Sequence, residues 1–115
     1  IAGGAGITPF FAIFRDLHSR NGLAGNRLIY ANKTRGDIIL EEELRMMLGS
    51  DCINILSREE ADGYYSGHIS ERLLKEHSDV HDSQIYLCGP PEMMKSVTEI
   101  LAGLGVDRKA VTMDL

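Results

Sequence analysis

The chain has 115 residues, 43% hydrophobic and 25% charged, which suits one globular domain with a real core. Seventeen acidic against twelve basic residues leave a formal charge of −5 with no basic stripe, so no nucleic-acid partner is expected. No apolar run is long enough to cross a bilayer, and Cys52 and Cys88 fall in neither metal-ligand nor C-x-x-C spacing, which fits a cytoplasmic setting without a membrane or metal role.

The first ten residues, Ile1-Ala2-Gly3-Gly4-Ala5-Gly6-Ile7-Thr8-Pro9-Phe10, read as a strand end, a tight glycine turn and a helix start. Glycines let backbone approach an anion and take φ values that a Cβ disfavours. Thr8 is expected to cap the helix and Pro9 to occupy its first position, leaving free N–H groups and the positive dipole end aimed at the turn. Gly4 and Gly6 open like G-x-G-x-x-G, but Pro9 holds the third glycine position, and no Gly-Lys-Ser/Thr follows. Both the dinucleotide fingerprint and the P-loop are therefore unmet. Only Ile1 and Ala2 precede the glycines, so the first strand is expected to be truncated.

A helix is predicted over residues 9–20, burying Phe10, Phe11, Ile13, Phe14 and Leu17 and stopped by Asn21-Gly22. Residues 28–31 form a second buried strand, with Asn32, Lys33 and Thr34 at its carboxyl end, where open parallel sheets bind ligands. Asp37 is expected to cap a helix over residues 38–48, with Leu40, Leu44, Met47 and Leu48 inward and Glu41-Glu42-Glu43 as a solvated face. A third strand over 52–56 delivers Ser57 and Arg58, a hydroxyl beside a guanidinium, to the same edge. Hydrogen bonds to charged groups contribute about 1.5–3 kcal/mol each, so this pair suits a dianionic phosphate, although Glu59 and Glu60 could engage Arg58 instead.

Residues 61–67 read as a glycine-punctuated loop whose aromatics could cover a base, with His68 and Tyr65 both open as the stacking group. A capped helix over 70–77 follows, then a fourth strand over 84–87 running into Cys88-Gly89-Pro90-Pro91. A helix from Pro91 to about residue 104 and a fifth strand over 110–113 complete the chain. Strands alternating with helices imply an α/β fold: a three-layer, Rossmann-like, five-stranded parallel sheet with helices on both faces.

Two stretches, Gly3-Gly4-Ala5-Gly6-Ile7-Thr8-Pro9 and Cys88-Gly89-Pro90-Pro91-Glu92-Met93, lie about eighty residues apart. They match the G-G-x-G-I-T-P and C-G-P-x-x-M motifs of the ferredoxin-NADP reductase superfamily in order, and the chain resembles that family's NAD(P)-binding domain throughout. The resemblance implies strand order 3-2-1-4-5 and an FAD-binding barrel upstream of residues 1–115. It implies that the cofactor is bound by Gly3, Gly4, Ala5, Gly6, Ile7, Thr8 and Pro9, with Gly4 to Thr8 holding the pyrophosphate, and that Ser57 and Arg58 hold an adenosine 2′-phosphate. Asn32, Lys33, His68, Pro90 and Met93 border the nucleotide in this reading, while Cys88 and Gly89 lie by the nicotinamide, with Cys88 positioning its reactive carbon. The expected parent is a flavoprotein passing hydride from NADPH to FAD and electrons to flavodoxin, ferredoxin or an oxygenase component, the excised domain alone being inactive. An NADH-linked cytochrome b5 reductase-like enzyme and a non-catalytic nucleotide-sensing module are the alternatives. Family members often end in a flavin-shielding aromatic, and Leu115 stands at that place here.

Overall fold

The computed structural model describes residues 1–113; the terminal Leu115 lies outside the described residues. Strand β1 (Ala2–Gly3) is followed by a 3-10 turn over Gly4–Ile7 and helix α1 (Thr8–Ser19). Then come β2 (Leu28–Asn32), α2 (Glu41–Leu48), β3 (Cys52–Leu56), β4 (Tyr65–Ser66), α3 (Glu71–His77), β5 (Ile85–Tyr86), α4 (Pro91–Gly103) and β6 (Val111–Thr112). Every strand pairing is parallel.

The strands form a four-stranded sheet, β1-β2-β3-β4, and a two-stranded sheet, β5-β6. A single parallel bridge between Ala2 and Cys88 joins them, tightened by Gly3 N–H to Cys88 O at 3.0 Å and Cys88 N–H to Ile1 O at 3.1 Å. Among the described residues six strands occur, one more than the five expected. The additional one, β4, comes from the stretch read as a loop; Tyr65 and Ser66 pair with Ile55 and Leu56 at the sheet edge.

Alternation along β2 explains the layers, because successive side chains point to opposite faces. Leu28 and Tyr30 join Phe10, Phe11 and Phe14 of α1 and Leu44, Met47 and Leu48 of α2 in one core. Ile29 joins Leu73 and Leu74 of α3 and Val97 and Leu101 of α4 in the other. Each fully buried aliphatic side chain contributes about 1.5–3 kcal/mol, which holds the carboxyl ends of the strands in register.

Local departures have local causes. Ile13 is exposed, since α1 presents a narrower stripe to the sheet than its spacing allows. Helix α2 starts at Glu41, three residues later than expected, because Thr34 and Asp37 close a capping box around a separate 3-10 turn, Arg35–Asp37. Leu40 then sits just outside the helix, half-exposed and left-handed at φ 50°, rather than inward. Helix α1 ends where Asn21 takes φ 56° and the Gly22 N–H bonds Leu17 O at 2.7 Å, a left-handed stop with Asn in the glycine role.

Candidate functional site: a cleft at the carboxyl ends of the strands

Two loops leave the sheet side by side and are locked together by glycines. A Cβ on Gly6 would lie 2.4 Å from the Cys88 carbonyl oxygen and 2.7 Å from the Gly89 Cα. Gly6 therefore permits backbone-to-backbone contact that alanine forbids. Met93 packs across the seam from α4, since a Cβ on Gly3 or Gly89 would come within 2.4 Å of its thioether end.

Before α1 the glycine turn is tethered from below. Gly4 sits at φ 53°, and the hydroxyl of fully buried Tyr30 donates to its carbonyl at 2.8 Å. Thr8 proves to be the first residue of α1 rather than its cap, and its hydroxyl donates back to Ala5 O at 2.9 Å. Ile7 is wholly buried in the core, so its side chain serves packing.

A cleft of about 430 Å³ opens beside these loops. Of the residues singled out from sequence, Gly3, Gly4, Ala5, Asn32, Lys33, Ser57, His68, Pro90 and Met93 line it. Gly6, Ile7, Thr8, Pro9, Arg58, Cys88 and Gly89 do not; Gly6, Cys88 and Gly89 form the seam behind it. Ladder bonds hold the far wall: Ser57 N–H to Asn32 O at 3.0 Å and Arg58 N–H to Lys33 O at 2.9 Å. Gly67 N–H reaches Leu56 O at 2.8 Å, and this bond brings Gly67 and His68 to the rim.

His68 borders the cleft, whereas the Tyr65 hydroxyl lies 2.7 Å from His77 Nε2 with the two rings edge-on. The Arg58 side chain is exposed and makes no ion pair among the described residues. Glu59 is engaged elsewhere, accepting from the Arg35 N–H at 3.2 Å.

Asn32 is the one buried polar residue among the described residues, 7% exposed, and neither its Oδ1 nor its Nδ2 has a hydrogen-bond partner there. Leaving such a group unpaired costs about 1–3 kcal/mol, so a buried carboxamide facing a cleft points to a ligand that can both donate and accept. Sequence reasoning missed Tyr30, Asp37, Ile39 and Gly67. Asp37 and Ile39 line the cleft because the 3-10 turn displaces α2, and Asp37 Oδ2 is already occupied by the Thr34 N–H and hydroxyl at 3.1 and 2.9 Å.

A larger cavity, about 580 Å³, opens at the opposite, amino ends of the strands, between Ile1, Phe14, Leu28, Ile85 and Tyr86. Size favours it, but among the described residues no unpaired buried polar group lines it, and open parallel sheets bind ligands at their carboxyl ends. Among the described residues no cluster of three or more potential metal ligands occurs.

The profile of the oxidoreductase NAD-binding domain matches residues 1–99. The chain belongs to that family. It is 36% identical over 121 aligned residues to NADH-cytochrome b5 reductase 1 of Eremothecium gossypii, covering 94% of this chain and 42% of that protein. The NADH nitrate reductase 2 of Phaseolus vulgaris is 34% identical, covering 95% of this chain and 13% of its own length. The chain thus spans less than half the length of these relatives. Among solved structures, the cytochrome b5 reductase domain of Ulva prolifera nitrate reductase superposes with a TM-score of 0.84 at 27% identity, covering 97% and 46% of the two chains. A ferredoxin NADP+ reductase from Neisseria gonorrhoeae, at TM-score 0.78 and 21% identity over 98% and 53%, shares the fold. The relatives that carry this NAD-binding domain are reductases.

Proposed function

We propose that the cleft binds a nicotinamide dinucleotide, preferentially NADPH, and presents it to an FAD held by a separate barrel domain of the parent protein. The observation that carries this reading is the buried, unpartnered Asn32 carboxamide in a cleft bounded by the glycine turn, Ser57 and His68. A ribose or phosphate supplies the donor or acceptor that the protein leaves out. The cleft residues fit the dinucleotide along their length. Gly3 to Ala5 meet the pyrophosphate, Ser57 and the unpaired Arg58 meet the 2′-phosphate, His68 covers the adenine, and Pro90 and Met93 border the nicotinamide. Cys88, in the seam just behind, fixes how closely the ring approaches.

Hydride chemistry belongs to the nicotinamide and flavin rings; the chain's own residues bind and orient. A bound flavin would supply single electrons, and the acceptor would be a protein such as flavodoxin, ferredoxin or an oxygenase component. The Ala2–Cys88 bridge supports reading the two sheets as one, with β3-β2-β1-β5-β6 in the 3-2-1-4-5 order and β4 added at the edge.

NADH is the second reading, favoured by the NADH-linked names of the relatives, and cytochrome b5 is then the natural acceptor. Calorimetric titration with adenosine 2′,5′-bisphosphate and 5′-AMP separates the two. Tighter binding of the bisphosphate, weakened by Arg58→Ala, is expected for NADPH. Equal binding of both nucleotides transfers the assignment to NADH.

A further inference from the structure

We propose that Tyr30 is a positioning residue for nucleotide binding: its hydroxyl, bonded to the Gly4 carbonyl, turns the Gly4–Ala5 peptide so that the Ala5 N–H faces the cleft. The inference rests on the nucleotide reading above.

Tyr30 is wholly buried in the middle of β2, where an aliphatic residue would pack as well, and its hydroxyl is spent on a loop twenty-six positions away. Burial also pushes the phenol above its ordinary pKa, so at neutral pH it remains a hydrogen-bond donor. The bond at 2.8 Å draws the Gly4 carbonyl down toward the core. The described chain has no cis peptide bond, and in a planar trans peptide the C=O and N–H point in opposite directions. The Ala5 N–H therefore points away from Tyr30, on the side where Gly3, Gly4 and Ala5 border the cleft. As the second residue of a 3-10 turn, Ala5 has no acceptor for this N–H within the turn. Gly4 tolerates the imposed φ of 53° because it lacks a Cβ.

Asn32 stands two residues further along β2, on the same face as Tyr30, with both side-chain polar atoms free. One strand face thus serves the ligand twice, by aiming the loop donor and by offering a buried carboxamide.

The test compares the unmodified chain with Tyr30→Phe, which keeps the ring and removes only the hydroxyl. ADP-ribose probes the phosphates and adenosine, followed by amide shifts, probes the remainder. The expected result is an ADP-ribose affinity about three- to tenfold weaker, corresponding to one hydrogen bond, with adenosine binding unchanged within about twofold. Equal loss for both ligands means general structural damage and overturns the proposal, as does no loss for either. A second measurement uses only the unmodified chain and stands even where Tyr30→Phe fails to fold: ADP-ribose should slow exchange of the Ala5 amide and shift its resonance. An Ala5 amide indifferent to bound ADP-ribose refutes the orientation. An unmodified chain that binds neither ligand removes the nucleotide reading itself and the proposal with it.

Discussion

Replacing Gly6 by alanine tests the seam between the two loops. The added Cβ would lie 2.4 Å from the Cys88 carbonyl oxygen and 2.6 Å from its carbon, and both are backbone atoms that no rotamer change can remove. Ordinary contact requires about 3.5 Å, so the loops must part by about 1 Å. That movement costs about 1–3 kcal/mol as overpacking, and about 1 kcal/mol more if it breaks the 3.0 Å bond from Gly3 N–H to Cys88 O. For a chain of this size each kcal/mol lowers the melting temperature by about 4 °C, so a drop of about 4–16 °C is expected. Gly4→Ala is the control. Its Cβ meets nothing within 4 Å, but φ is 53°, so only the left-handed penalty of about 1–2 kcal/mol applies. Calorimetric melts of the three proteins decide the matter. A Gly6→Ala chain that melts closer to the unmodified protein than Gly4→Ala does would refute the close-contact argument.

Ser57→Asp places a carboxylate on the cleft wall where the 2′-phosphate is proposed to lie; adenosine 2′,5′-bisphosphate should bind at least about tenfold more weakly, with 5′-AMP little changed, as read by calorimetry. Burial pushes the Cys52 thiol up to about 11. Its alkylation at pH 8 should be about a hundredfold slower in the folded than in the urea-unfolded chain, read by mass spectrometry, because only the thiolate reacts.

The long, regular elements were legible because their signal is local. The periodicity of Phe10, Phe11 and Phe14, the apolar run of β2, and Ser70, whose hydroxyl accepts the Leu73 N–H at 3.1 Å, each declare an element within a few residues. The cleft's two loops were legible because glycine is required where backbones touch, as at Gly6. What the sequence hid depends on partners distant in the chain. Asp37 reads as a helix cap until Thr34 closes a box with it, and Leu40 then lands outside the helix. Strand β4 is two residues long and becomes a strand only by pairing with β3. Tyr30 reads as an ordinary strand residue, because its bond to Gly4 spans twenty-six positions. Arg58 was expected at the phosphate, yet it is not among the residues that line the cleft.

The most direct test of the central claim is a map of backbone amide shifts as NADP+ is added to the chain, with NAD+ in parallel. The account predicts that the largest changes fall on Gly3 to Ala5, Asn32, Lys33, Ser57, Gly67 and His68, with the Leu28 and Ile85 end of the sheet unmoved. Changes concentrated at that amino end, in the larger cavity, or no change with either nucleotide, would contradict it.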